Sequence, residues 1–290
     1  MSRRAPESLF SSMAQHAAKH VMTEYSTSFS IATKLLPLQM RTDIRNLYAV
    51  VRIADEIVDG AASALSAHET AVELRSFRNA VLRGIEIQFS ANPIIHAFAQ
   101  TVQRCDIQIH HIKAFFQSME TDVQRTTHTP ESRAEYIYGS AEVIGLMCLA
   151  IFTAEHPLRG ADQGVAKRGA QALGAAFQNI NFLRDFAIDH ERLGRNYISP
   201  NGYLDDVAKA QLIAEIREDL ATAHTSIPLL PIGARTGVLT AYYLFSELTE
   251  RLDAAPVEVI TARRIRVPGR VKAKLTTRAI ATAPRLRPTT

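Results

Sequence analysis

Tyr48-Ala-Val-Val-Arg52-Ile-Ala-Asp55-Glu-Ile-Val-Asp59-Gly60 reads as an apolar helix with one line of charge along it. Asp55 and Asp59 stand four residues apart, which stacks their carboxylates on one helix face, and Arg52 and Tyr48 extend that stripe backwards. Val50, Val51, Ile53, Ala54, Ile57 and Val58 cover most of the remaining circumference. Such a helix is expected to be buried, with its carboxylates facing an interior cavity. The pattern returns at Phe177-Gln178-Asn-Ile-Asn181-Phe-Leu-Arg184-Asp185-Phe-Ala-Ile-Asp189. Asp185 and Asp189 repeat the spacing, Asn181 and Gln178 continue the line, and Phe177, Ile180, Phe182, Leu183, Phe186 and Ile188 fill the rest.

One such aspartate pair ordinarily marks a solvated face. Two pairs on apolar helices, each with an arginine or an amide on the same line, call for compensation of buried charge. Paired carboxylates are hard oxygen donors suited to Mg²⁺, which keeps waters and shares its shell with substrate phosphates. Two such helices facing each other would clamp a diphosphate between metal ions and stabilise charge on it as it leaves carbon. The cation left behind requires an apolar pocket that excludes water. The chain has no P-loop, nucleophile elbow, HExxH or GxGxxG.

Helical periodicity extends outward from these two stretches, over Arg41 to Val58, Glu69 to Phe89, Ile109 to Asp122, Glu131 to Ala154, Gly164 to Ile188, Asp205 to Ala223 and Thr236 to Leu252. Breaks fall at Leu36-Pro37, Asn92-Pro93, His156-Pro157, Ser199-Pro200-Asn201-Gly202 and Leu230-Pro231. Strand-like alternation is scarce, which predicts an all-α domain of roughly eight to ten helices. No internal repeat of fixed period is found. The 290 residues, 47% hydrophobic and without a Pro/Gly/Ser-rich linker, fit one domain. Cys105 and Cys148 lie in apolar stretches and read as reduced core residues. No apolar run of about 18 residues and no apolar signal core is expected, which points to a cytoplasmic protein that neither spans a membrane nor is exported.

The net charge of +4 is unevenly spread. Nine basic residues and no acid follow Ala262, leaving 24 basic against 29 acidic side chains before them. A basic end of this kind suits nucleic acid, anionic lipid or a polyanionic substrate.

Glu24-Tyr-Ser-Thr-Ser-Phe-Ser-Ile-Ala-Thr33, the two acidic stretches, Gly194-Arg-Asn-Tyr-Ile198 and Arg263-Arg-Ile-Arg-Val-Pro-Gly-Arg-Val-Lys272 together resemble the squalene/phytoene synthase family, most of all its bacterial phytoene synthases. The resemblance runs from about Glu24 to Leu275 and implies an isoprenoid synthase fold, a single helical domain around a central cavity. Residues 1–23 then form an N-terminal extension, 24–262 the catalytic domain and 263–290 a basic C-terminal segment. The implied reaction is head-to-head condensation of two prenyl diphosphates through a cyclopropylcarbinyl diphosphate, releasing both diphosphates. By position, Asp55, Asp59, Asp185, Asp189 and Asn181 would hold Mg²⁺, with Mn²⁺ able to replace it, and Gln178 would complete the second site. Arg52, Arg184 and Arg195 would neutralise diphosphate, and Tyr197 would donate a hydrogen bond to it. Ser26, Ser28 and Phe29 would line the mouth with Tyr48, and Tyr136 would face the reacting carbons.

The sequence departs from the family at Thr27 and Ile53, where basic residues are usual, at Glu142, where glycine is usual, and at Phe245, where a tyrosine is expected. Geranylgeranyl diphosphate giving phytoene is the preferred substrate and product, with no nicotinamide cofactor. Farnesyl diphosphate giving dehydrosqualene or squalene is the alternative, and a non-catalytic scaffold of the same fold is the rival from another class. The expected partners are the prenyl diphosphate, an anionic membrane surface met by the basic segment in a peripheral contact, and neighbouring carotenoid-pathway enzymes. Nucleic acid is not expected, since no recognisable binding motif with interleaved aromatics is present.

Overall fold

Side chains that satisfy free backbone N–H groups set where several helices begin. Asn92 Oδ1 accepts from the N–H of Ile94 (3.0 Å) with Pro93 at the first helical position, Ser66 and Glu69 form a reciprocal capping box, and Asp205 accepts from Ala208 N. The computed structural model describes residues 6–62, 64–125, 128–193, 197–198 and 203–287, with the side chains of 6, 7 and 188–193 outside that description. Among the described residues there are thirteen α-helices and no strand. They are α1 (Pro6–Tyr25), α2 (Thr27–Lys34), α3 (Leu38–Val58), α4 (Ala67–Ile87), α5 (Pro93–Cys105), α6 (Ile109–Gln124), α7 (Pro130–Ile137), α8 (Val143–Thr153), α9 (Gly160–Leu193), α10 (Asp206–Ser226), α11 (Ile232–Ala254), α12 (Val257–Ala262) and α13 (Gly269–Thr282). The all-α expectation holds, with more helices than the periodicity gave.

The spine is α9, a helix of 34 residues that packs along α10 on one side and α8 on the other. One apolar cluster joins α1, α3, α4, α5, α6 and α8 around Leu47, Leu74, Phe98, Phe116 and Met147. A second joins α9, α10, α11 and α12 around Ile180, Leu183, Ile216, Leu252 and Ile260. A third closes the far end around Leu36, Leu149, Ile227, Leu230 and Leu239. Helix α1, most of which lies within residues 1–23 that the sequence assigns to an extension, buries Ala14, Ala18 and Met22 against this core. Across α3 and α5, buried Asp43 accepts from Thr101 Oγ1 (2.8 Å) and pairs with Arg104, while Asn46 Nδ2 donates to Ala97 O (3.2 Å).

The expectation of no membrane-length apolar run needs correcting. From Pro130 to Thr153 the backbone is continuously helical, α7 leading through a π-helical turn (Tyr138–Glu142) into α8, with a mean hydropathy of 1.5 over its best window. Its apolarity has an internal use, since Val143, Met147 and Ile151 are buried while Ile144, Cys148, Leu149 and Phe152 line a cavity. Gly145 and Gly174 let α9 come close, for a Cβ at either would collide with a backbone carbonyl, of Ala170 and Ala141 respectively. Both cysteines are free, and burial pushes each thiol up to about 12, which keeps them protonated.

Candidate active site

An apolar cavity of about 290 Å³ runs between α3, α8, α9 and α11. On α9 its wall is a single three-four stripe of Ala166, Gly169, Ala170, Leu173, Gly174, Phe177, Gln178 and Asn181. The stripe grades from small residues at the deep end, through an aromatic ring, to two amides at the mouth. Asp185 stands one turn beyond Asn181. On α3 the wall is Ile44, Leu47, Tyr48 and Val51, and Asp55 follows one turn beyond Val51. From Ala166 to Asn181 the wall is about 22 Å long at the α-helical rise.

The two aspartates carry cationic partners. Arg52 Nη1 donates to Asp55 Oδ2 (2.6 Å) and its other terminal nitrogen pairs with Glu56. Burial pulls the Arg52 guanidinium down, but Asp55 and Glu56 more than offset that and hold it above its ordinary value. Its Cζ lies 4.3 Å from the centroid of the Tyr25 ring. Asp185 accepts from Arg184 Nε (2.9 Å) and pairs with Arg264 Nε (2.8 Å), a residue of the basic segment. Asp59 follows α3 directly, its N–H bonded to the carbonyls of Asp55 and Glu56. Asp189 lies on α9 with its side chain outside the described residues, and Arg195 lies outside them altogether.

At the mouth, Ser26 caps α2 by accepting from Phe29 N (3.2 Å) and lies beside Tyr48. Ser28 is half-buried on the same helix and does not line the cavity. Phe29 meets Phe245 at 5.5 Å and Phe177 at 5.9 Å, and Phe177 stacks on Phe245 at 3.9 Å. The Phe245 departure therefore completes an aromatic trio. Thr27 is compensated too, because Lys272 of α13 places Nζ 3.2 Å from Thr27 Oγ1. Burial, then repulsion from Arg266 and Arg184, lowers the Lys272 ammonium below its ordinary value, as a cation crowded among cations would be. Glu142 does not line the cavity; its carboxylate accepts from Gln171 Nε2 (2.8 Å).

The two tyrosines are placed otherwise than the resemblance implied. Tyr136 does not line the cavity, and its hydroxyl donates to Asp122 Oδ2 (3.3 Å). Tyr197 donates to Asp122 Oδ1 at 2.6 Å, so that hydrogen bond goes to a buried carboxylate. His128, Tyr136, Phe182 and Tyr197 stack around them. Burial, with Asp122 beside it, holds the Tyr136 hydroxyl well above its ordinary value, so it stays a donor. Asp122, Arg264 and Lys272 are the site residues that the sequence reading missed. Only Asp122 left a local signal, as a lone carboxylate on the buried stripe Phe115, Met119, Asp122 of α6.

Among the described residues, no three Asp, Glu, His or Cys side chains converge as a metal cage. The donor chemistry at the mouth fits a divalent cation all the same. Asp55, Asp185 and the Gln178 and Asn181 amides are all hard oxygen donors, and both carboxylates hold guanidinium groups with which an ion would compete.

The family model for squalene/phytoene synthase matches residues 22–271. The chain belongs to the squalene/phytoene synthase family. Members of that family are prenyltransferases that condense isoprenyl diphosphates with the help of a divalent metal. The chain is 27% identical over 269 residues to a phytoene synthase of Arthrospira platensis, covering 84% of this chain and 85% of that one. It is 28% identical to a 4,4'-diapophytoene synthase of Staphylococcus haemolyticus, covering 62% of this chain and 60% of that one. A solved dehydrosqualene synthase superposes with a TM-score of 0.79 at 18% identity, over 95% of this chain and 98% of that one. That likeness gives the isoprenoid synthase fold. In this squalene/phytoene synthase family member the carboxylate helices α3 and α9 thus stand at the mouth of a hydrocarbon-lined cavity.

Proposed function

We propose that the protein is a phytoene synthase, condensing two geranylgeranyl diphosphates head to head into phytoene through prephytoene diphosphate, with release of both diphosphates. The observation that carries this reading is the α9 stripe, which joins small apolar residues, an aromatic ring, two amides and a carboxylate along one cavity wall. Asp55, Asp59, Asn181, Asp185 and Asp189 would hold Mg²⁺, whose positive charge would stabilise the departing diphosphate.

Arg52, Arg184, Arg264 and Lys272 bind and neutralise diphosphate, with Arg195 assigned the same part by position. Tyr48, Gln178 and Asn181 orient the head group, and Ser26 holds the start of α2 beside Tyr48. The faces of Phe29 and Phe177, the latter backed by Phe245, stabilise the allylic and cyclopropylcarbinyl cations, and the surrounding aliphatic wall keeps water out. No histidine is among the described residues that line the cavity, so the final proton goes to the leaving diphosphate. Asp122 fixes Tyr136 and Tyr197, which ties the segment after α9 to α6 behind the second motif. A cytoplasmic enzyme working at an anionic bilayer beside other carotenoid-pathway enzymes is part of this reading. Within the basic segment, Arg264 and Lys272 serve the mouth.

The diapophytoene synthase relative favours one second reading, condensation of two farnesyl diphosphates. Incubating purified protein and Mg²⁺ with each diphosphate, with and without NADPH, separates the two. Phytoene from the C20 substrate without NADPH is expected, whereas product from the C15 substrate alone would overturn the proposal.

A further inference from the structure

Leu35-Leu36-Pro37-Leu38-Gln39-Met40-Arg41 and Leu229-Leu230-Pro231-Ile232-Gly233-Ala234-Arg235 are two copies of one turn, nearly two hundred residues apart. Each opens a helix, α3 and α11, with the proline as N-cap in the same extended conformation (φ −52 and ψ 152 at Pro37, φ −52 and ψ 143 at Pro231). In each, the arginine folds back onto the carbonyl of the leucine before the proline. Arg41 Nη2 donates to Leu36 O at 2.9 Å and Arg235 Nε to Leu230 O at 2.7 Å. The two turns touch, for a Cβ on Gly233 would lie 2.6 Å from Pro37 Cγ.

The copies also share a division of labour. Leu36 and Leu230 are 4% and 6% exposed and line the deep end of the cavity. Two residues on, Leu38 and Ile232 are 74% and 65% exposed. A single exposed leucine means little. Two of them, at matched positions of abutting turns whose neighbours line the cavity, make a paired apolar tip. Between the turns lies a second hollow of about 580 Å³, bounded by Pro37, Met40, Leu158, Leu229, Pro231 and by Leu230, which also lines the cavity. Cations surround this tip. Burial and then repulsion from Arg41 lower the Arg45 guanidinium, and burial and then Arg287 lower that of Arg235. Arg235 Nη1 also donates to Leu286 O (3.0 Å), which brings the C-terminal Arg285 to Arg287 stretch to the same end. Glu155 and His156 line the hollow as well.

We propose that this end of the molecule, opposite the carboxylate mouth, seats on an anionic bilayer. Leu38 and Ile232 insert at the boundary between head groups and acyl chains, and Arg41, Arg45, Arg235 and Arg287 face lipid phosphate. The deep end of the cavity then lies against lipid, and hydrocarbon passes between Leu36 and Leu230. That the protein meets a bilayer and that hydrocarbon passes between the turns rest on the proposed function; which surface meets the lipid is read from the turns alone.

The test is co-sedimentation of the full chain with phosphatidylcholine vesicles, with and without phosphatidylglycerol. Binding that requires phosphatidylglycerol and weakens with salt is expected. Leu38→Asp with Ile232→Asp should weaken it about tenfold or more, with unchanged thermal melting, because an acid in the first turn of a helix is favourable to the fold. Turnover of detergent-dispersed substrate by this variant should also be unchanged. Arg264→Ala with Lys272→Ala, at the opposite end, should leave vesicle binding as it was. The proposal is overturned if the wild type ignores both vesicles, if it binds both alike, or if the mouth variant loses binding while the tip variant keeps it. It is also overturned if the tip variant keeps vesicle binding and only splits a dimer by light scattering, which would make the occupant a second copy. Vesicle binding through the tip by a protein inactive on both C20 and C15 diphosphates would sink the proposed reaction and leave this surface standing.

Discussion

Asp55 and Asp185 each stand one turn beyond the last wall residue of their helix, which places a carboxylate where the apolar cavity gives way to cationic side chains. Replacing either with alanine removes an oxygen donor from the mouth and leaves Arg52, or Arg184 and Arg264, without that partner. Turnover is expected to fall about a hundredfold or more, with little change in thermal melting, and product analysis of each purified variant checks it. Asp122 has a different role, because it is buried and accepts from two tyrosine hydroxyls. Asp122→Asn turns one acceptor into a donor facing a hydroxyl, so a loss of about 1–3 kcal/mol of stability is expected in urea denaturation. The aspartates at the mouth were legible because spacing on an apolar helix is a local signal. Arg264 and Lys272 were legible only as net charge, since nothing local says that the link after α12 brings Arg264 to Asp185 and that α13 brings Lys272 to Thr27.

At the level of elements, the helices missed by periodicity are those whose apolar signal is weak or uniform. In α1 the buried positions are largely alanines, Ala14 and Ala18 with Met22, so the stripe hardly differs from its surroundings. In α5, Asn92-Pro93 has the composition of a break but serves as a cap and a first helical residue, and the helix is buried nearly all round. A further element-scale effect lies on α10, where burial, then Glu142, Glu215 and Glu218, push the Asp219 carboxyl from 3.8 up to about 6. An acid with a raised folded value holds its proton more tightly in the folded state. Stability therefore falls as pH rises from about 4 to about 6, and the penalty persists above that. Asp219→Asn is expected to gain up to about 2 kcal/mol near pH 7 and nothing near pH 4. Urea denaturation at the two pH values reads the difference, and an equal effect at both would contradict it.

For the molecule as a whole, the cavity joins two ends of opposite character, acidic helices with their arginine partners at one and the paired Leu-Leu-Pro turns at the other. The sequence disclosed the first end and half of what connects them. Gln178, Asn181 and Asp185 stood out as polar residues on an apolar helix, but Ala166, Gly169 and Ala170 continue the same stripe as small residues, which periodicity cannot tell from ordinary close packing. Their smallness is what leaves room at the deep end, where Leu149, Phe152 and Leu230 close the wall. Chain length should therefore be set there and not at the mouth. Ala166→Phe fills the deep end with a ring while leaving Tyr48, Gln178, Asn181 and the aspartates untouched. Under the proposed reaction it should reduce turnover of the C20 diphosphate about tenfold or more, since overpacking of about 1–3 kcal/mol falls on the longer chain, while the C15 diphosphate still fits. The C15 to C20 turnover ratio, measured with both substrates in competition, should rise; an unchanged ratio would place the end of the hydrocarbon site elsewhere.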